Sequence, residues 1–217
     1  FDVDVANLVG EALGLTIEFK NPNWDSVPTG LQTGRWDVSI GSMTITAERA
    51  KTLAFTDPYY YTQGQLMVRQ GDPKITEVEQ LKGKTIGVGT QTTYNYFLDA
   101  VGGVTIKAYA TDLDAFPDLE NGRLDGVMTA DLTASEAISS GKPFELSGKP
   151  FYYEPLAFAT RQGEDDLTAL FNYSIKWMRD NGKLTAAAKK WYHGFDVSQE
   201  PESGVPDYED VMSKLGG

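Results

Sequence analysis

Ser42, Thr44 and Arg49 lie close together in Gly41-Ser42-Met43-Thr44-Ile45-Thr46-Ala47-Glu48-Arg49. If the segment is extended, Ser42 and Thr44 alternate and their hydroxyls face the same side. Arg49 carries a permanent charge on a planar fork of donors, which suits a bidentate grip on a carboxylate. Thr46 stands three residues before Arg49, where an N-cap would open a helix, although Glu48 is one residue early for a capping box. Hydroxyls, N–H groups at a helix start and a guanidinium together make a cradle for a small carboxylate. The same residues equally describe a capped helix with a surface arginine, and residue types alone do not separate the two.

A second group has similar chemistry. Gly89-Thr90-Gln91-Thr92-Thr93 joins an apolar run to a helix beginning near Tyr94. Free N–H groups at that helix start, with the threonine hydroxyls, offer another half of an anion cradle.

These groups need elements to hold them. Residues 3–14 place Val3, Val5, Leu8, Val9 and Leu13 at helical spacing and end on Gly14, a natural C-cap. Leu15–Phe19 reads as a strand. Trp24–Gln32 reads as a helix weakened by Pro28 and Gly30, and Trp36–Ile40 as the strand that leads into the motif. The order returns later: Ala100–Ile106 mirrors Ala12–Ile17, and Leu119–Asp125 mirrors Leu31–Asp37. A helix, a strand, a helix, a Gly-Arg turn and a strand therefore recur, which predicts two α/β lobes of similar build. In the second copy a strand, Lys84–Val88, precedes the first helix. Its absence from the first copy leads to the expectation that about one strand and a loop are missing upstream. Tyr59–Gln70 and Phe151–Thr160 are extended in pattern and read as two crossings. On this basis lobe 1 comprises residues 1–60 and 156–217, lobe 2 residues 64–150, and the crossings 59–63 and 151–155. Glu164–Asp180 is an amphipathic helix with Leu167, Leu170, Phe171, Ser174, Ile175 and Met178 inward, and Lys183–Tyr192 is a further helix. The tail from Asp196 reads as loop up to Pro206, then as a short surface helix over Tyr208–Leu215.

Composition narrows the function classes. The 217 residues carry a net charge of −12 and no long basic run, which argues against nucleic acid and anionic membrane surfaces. There are no cysteines, so disulfides, thiol chemistry and cysteine metal sites are excluded. No stretch of about 18 apolar residues exists to span a membrane. His193 is lone, no His/Asp/Glu group has metal-ligand spacing, and no phosphate loop is present. Neither metal nor cofactor is expected. The chain opens without the charged start, apolar core and cleavage site of a signal peptide, as an exported protein does when mature or trimmed.

The stretch GSMTITAERAKTLAFTDPYY resembles the signature of the bacterial extracellular solute-binding proteins, family 3, that serve amino-acid ABC transporters. The resemblance runs from Phe1 to about Phe195. It implies the type II periplasmic binding protein fold: two Rossmann-like α/β lobes joined by two hinge strands, with a first strand that this chain lacks. It implies a small-molecule ligand, an amino acid or related carboxylate, held between closing lobes; an ABC permease as partner; a monomer; a periplasmic or extracellular location; and no catalysis. Arg49 then anchors the ligand carboxylate, with Gly41, Ser42 and Thr44 around its carboxylate and amino groups. Trp24 lies against the ligand side chain, and Thr92, Thr93 and Tyr94 reach it from lobe 2. The usual Gly-Thr-Thr has Gln91 in place of its glycine. The aspartate that usually pairs with the α-ammonium falls, in a gapless register, on Ala130, with Asp131 beside it. That register keeps Ala134 and Ile138 on the inner face of the next helix, makes Asp131 a helix cap and leaves the ammonium anchor open. Alternatives are a dehydratase-like enzyme on the same scaffold, with Glu136 or Asp131 as acid or base, and the ligand-binding domain of a sensor receptor.

Overall fold

The computed structural model describes residues 1–201 and 204–216. In chain order the helices and strands are α1 (Asp2–Leu13), α2 (Val27–Gln32), β1 (Val38–Thr44), β2 (Leu53–Phe55), β3 (Tyr60–Arg69), β4 (Thr85–Gly89), α3 (Thr93–Val101) and β5 (Thr105–Tyr109). They continue as α4 (Phe116–Glu120), β6 (Gly126–Ala130), α5 (Asp131–Ser139), β7 (Phe144–Leu146), β8 (Tyr152–Arg161), α6 (Asp165–Asp180), α7 (Lys183–Trp191) and α8 (Tyr208–Leu215). The chain divides into two compact units, Phe1–Tyr61 with Pro155–Pro201, and Thr62–Glu154 with Glu202–Gly217. The first two crossings fall within β3 and β8.

In unit 1, β1 and β2 both pair antiparallel with the second half of β8, so that Ala159 faces Ser39 on one side and Phe55 on the other. Helices α1, α6 and α7 pack on one another. Val5 and Val9 of α1 are fully buried, and Gly14 ends the helix in the left-handed conformation with its N–H on the Gly10 carbonyl. The expected inner stripe of α6 holds at Phe171, Ser174, Ile175 and Met178, while Leu170 is exposed. A second core joins Val27, Leu31, Met43, Leu53 and Ala159 to Trp24, Trp36 and Phe55.

Unit 2 is built on a sheet in the order β3-β6-β4-β5. Strand β4 is parallel to β5 and β6, β3 is antiparallel to β6, and β7 also pairs with β3. One cluster, which includes Leu66, Ile86, Val88, Phe97 and Met128, packs with α3. Another, which includes Met67, Phe116, Leu119, Val127 and Ala134, packs with α4 and α5.

The sequence reading differs from this fold at several places. Leu15–Phe19 forms no strand. A strand exists only through ladder bonds to a neighbour, and none lies beside this stretch among the described residues. Leu15 and Phe19 are about half exposed. Strand β1 starts later than expected and continues through Gly41–Thr44, and the helix expected after Thr46 is a short 3-10 turn over Arg49–Lys51. The tail is corrected too. Helix α8 spans the expected residues but belongs to unit 2, because Tyr208, Val211, Met212 and Leu215 form an i, i+3, i+4, i+7 stripe that packs into the core of that unit.

Gly30 weakened the expectation of a helix at α2, and the fold shows why glycine stands there. A Cβ at this position would lie 2.0 Å from Nε1 of Trp36, whose ring N–H donates to the Val27 carbonyl at 3.2 Å. Helix propensity alone predicts that Gly30→Ala gains up to about 1 kcal/mol. Overlap with an indole held by its own hydrogen bond reverses the sign, and a loss of roughly 1–3 kcal/mol is expected in urea denaturation. A variant as stable as the parent would show that Trp36 repacks freely.

Candidate functional site

In unit 1 the pairing of β1 with β8 shifts between Ser39 and Met43, and Ser42 within that irregularity has φ of 58°. A left-handed serine is unfavourable by roughly 1–2 kcal/mol and needs support. The support is a polar network. The N–H of Ser42 donates to Tyr59 Oη at 3.1 Å, its hydroxyl donates to Asp2 Oδ2 at 2.7 Å, and Tyr60 Oη donates to Ser42 Oγ at 2.6 Å. Tyr59 Oη donates to Asp2 Oδ1 at 2.7 Å. Burial raises the Asp2 carboxyl above its usual range, and the bonds from Tyr59 and Ser42 partly offset that. The alternation that would set Ser42 and Thr44 on one side is therefore broken at Ser42, whose hydroxyl already serves Asp2 and Tyr60.

Arg49 is brought to Thr44 and Trp24. Its Nη1 donates to the Thr44 carbonyl at 3.1 Å, and its guanidinium carbon stands 5.7 Å from the centre of the Trp24 ring. Thr46 Oγ1 accepts from the Arg49 N–H at 3.1 Å, the capping bond that the sequence predicts. Trp24 opens the 3-10 turn ahead of α2, and Arg49 and Trp24 are both half-buried. Thr44 is buried. A methyl at Gly41 would meet only Ser39 Oγ at 3.6 Å, so packing does not require glycine there.

In unit 2 Thr92 caps α3, accepting from the Asn95 N–H and donating to the Gly89 carbonyl. Gln91 has φ of 58°, a left-handed position that explains the glycine usual there in the resembled motif. The N–H groups of Gly89, Thr90 and Gln91 already bond Asp112, Tyr109 and Asn95, so less of the loop is free to receive an anion than its sequence suggests. Thr93 is buried and donates to Glu154 Oε2 at 2.6 Å, while Tyr94 is buried against Tyr152. Ala130 ends β6 and takes the N-cap position of α5. Asp131, expected to cap that helix, lies one residue inside it. Its carboxylate turns back to β3, accepting from Thr62 Oγ1 at 2.7 Å and the Gln63 N–H at 2.9 Å, and burial raises its pKa. In unit 1, then, Arg49 meets Thr44 and Trp24, and in unit 2 Thr92 and Thr93 open α3, with the part-buried Asp112 bonding Gly89 ahead of it and the buried Glu154 bonding Thr93.

Two of those acids were missed in the sequence. Asp112 accepts from the Gly89 N–H at 2.7 Å and from Thr129 Oγ1 at 2.7 Å, linking the loop before α3 to the end of β6. It sits inside the capping box that Thr111 and Asp114 form, so it reads as an ordinary helix-start acid. Glu154 is wholly buried. Its signal was an acid in the middle of the apolar run Phe151–Thr160. Desolvation, opposed by the two hydrogen bonds and reinforced by Glu154, pushes Asp112 up to about 6.

Residues 1–194 match the family model for bacterial extracellular solute-binding proteins, family 3. The chain belongs to that family. It is 32% identical over 202 residues to the L-cystine-binding protein TcyJ of Escherichia coli K12, covering 92% of this chain and 76% of that protein. The L-arginine-binding protein of Pseudomonas aeruginosa is 30% identical, with 91% and 80% covered. The solved arginine-, lysine-, histidine-binding protein ArtJ of Geobacillus stearothermophilus superposes with a TM-score of 0.83 at 32% identity, with 93% of this chain and 87% of that one covered. The mixed α/β fold is thus that of the type II periplasmic binding proteins.

The Asp112 value has a thermodynamic consequence. A carboxyl whose pKa rises on folding binds protons more tightly in the native state, so its contribution is present below pH 4 and lost as pH rises through about 6. The rise of about two units makes that loss roughly 3 kcal/mol. Asp112→Asn keeps an acceptor for Gly89 and gains a donor for Thr129. It should flatten the stability profile between pH 4 and 7 in urea titrations, and an unchanged profile would mean that Asp112 is ionised throughout.

Proposed function

We propose that this protein is the solute-binding component of an amino-acid ABC importer, working outside the cytoplasmic membrane as a monomer and handing its ligand to a permease. The observation that carries the reading is Arg49, half-buried, braced by the Thr44 carbonyl and set over Trp24 within a family match that spans most of the chain. The fork of Arg49 takes the ligand carboxylate, with Thr44 beside it. The Trp24 face takes an aliphatic or cationic side chain. In unit 2, Thr92 and the start of α3 supply further polar contact. Binding, with no bond made or broken, is the whole of the chemistry. The relatives named above are binding proteins for cystine and for arginine, which supports an amino acid as ligand.

Calorimetric titration with the common L-amino acids and L-cystine tests the reading, and at least one should bind on the order of micromolar or tighter. Arg49→Ala should then weaken the cognate ligand by on the order of 3–5 kcal/mol, because the carboxylate is left without its charged partner. A loss under about 1 kcal/mol would class Arg49 as a surface group and remove it from the site.

A further inference from the structure

We propose that Asp2 is a positioning residue for solute binding: through Ser42 it sets the part of β1 that braces Arg49. The assignment rests on the amino-acid-binding reading above and adds to it a residue that acts through another. Every group involved lies in unit 1. Three observations carry it. The first is the register of β1. Four steps along β1, from Ser39 to Met43, lie against two along β8, from Ala159 to Ala157, and Thr44 then pairs with Leu156. A strand that ran straight through would carry Thr44 about 7 Å along β8, at roughly 3.3 Å per residue, and the carbonyl that accepts from Arg49 Nη1 would go with it. The second is that the left-handed residue inside this shift is a serine, where a glycine would carry no strain. The third is that both polar handles of that serine lead to one carboxylate. Its hydroxyl donates to Asp2 Oδ2, and its N–H donates to Tyr59 Oη, which in turn donates to Asp2 Oδ1.

The direction of these bonds calls for an acid at position 2. Tyr60 Oη donates to Ser42 Oγ, so the serine proton is turned towards Asp2. The hydroxyls of Ser42 and Tyr59 therefore reach Asp2 as two donors, and an ionised carboxylate accepts both. Asparagine has one acceptor oxygen and an NH2, so it sets a donor against one of the two hydroxyls. Released from Asp2, Ser42 loses the bond that offsets its left-handed strain, and the shift in β1 loses its support with it. An acid in the first turn of a helix is ordinary in itself, because it faces the positive end of the helix dipole. That role would involve neither Ser42 nor Arg49, and the two roles separate in experiment.

The test is a double-mutant cycle with Ser42→Gly, since glycine takes the left-handed conformation without support. In urea denaturation, which needs no ligand, Asp2→Asn should lower stability in the parent and by less than half as much in the Ser42→Gly background. Calorimetric titration then uses the tightest binder among the common L-amino acids and L-cystine as probe. Asp2→Asn should weaken it by about tenfold in the parent, and by less than about twofold in the Ser42→Gly background, each background serving as its own reference. If Asp2→Asn alone does not fold, folding restored by Ser42→Gly supports the assignment, and a double variant that stays unfolded overturns it. Equal effects of Asp2→Asn in both backgrounds would also overturn it, because Asp2 would then not act through Ser42. A stability loss with affinity unchanged would reduce Asp2 to a structural group, overturning the assignment and leaving Arg49 and the functional reading standing. Failure of every probe to bind wild type would overturn the functional reading and this assignment with it.

Discussion

Part-buried carboxylates that form no ion pair among the described residues have to be satisfied by neutral donors, and that constraint shapes both units. Asp2 does this in unit 1, where Tyr59 and Ser42 bond its two oxygens. The geometry has a price in backbone strain at Ser42, which the same bonds repay. Asp131 takes Thr62 and Gln63, and Asp112 takes Gly89 and Thr129, so in unit 2 the starts of α5 and α3 are each tied through an acid to a neighbouring strand. Neutral donors make a carboxylate tolerable in such places, yet they compensate its charge less fully than a cation does. The raised pKa values of Asp2, Asp112 and Asp131 all have burial as their largest cause.

The parts of the fold that were legible in the sequence are those set by local pattern. The apolar spacing of α1 and α6, the Gly14 cap, the extended runs that became β3 and β8, and the Thr46 capping bond all follow from residue order alone. What failed depended on partners distant in sequence. Leu15–Phe19 has a strand's alternation, but no neighbour among the described residues supplies its ladder. Gly30 reads as a helix breaker until Trp36 is seen lying across it. The tail helix reads as surface until its four apolar positions find the core of unit 2.

The site divides in the same way. Of the candidate residues, Arg49, Thr44 and Trp24 come together, and their mutual approach follows from β1 and the turn before α2. Ser42 was misjudged because a bulge cannot be read from Gly-Ser-Met-Thr, where regular alternation is the simpler expectation. Asp131 was misjudged by one residue, since a cap and a first-turn acid differ only in which residue leaves the strand. Asp112 carries no sequence signature, and Glu154 only that of an acid inside the apolar run Phe151–Thr160. An acid inside a capping box is ordinary, and its importance arises only when the fold sets it against Gly89 and Thr129.

Asp112 also shows a carboxylate kept at a cost to stability. If stability alone governed position 112, an amide would serve better near neutral pH, because it bonds Gly89 and Thr129 without a charge to desolvate. The carboxylate lowers stability in the range where it ionises, and the surrounding hydrogen bonds only reduce that penalty. Arg49 poses the complementary case, a cation set over an aromatic face and fixed by a carbonyl, suited to an anion.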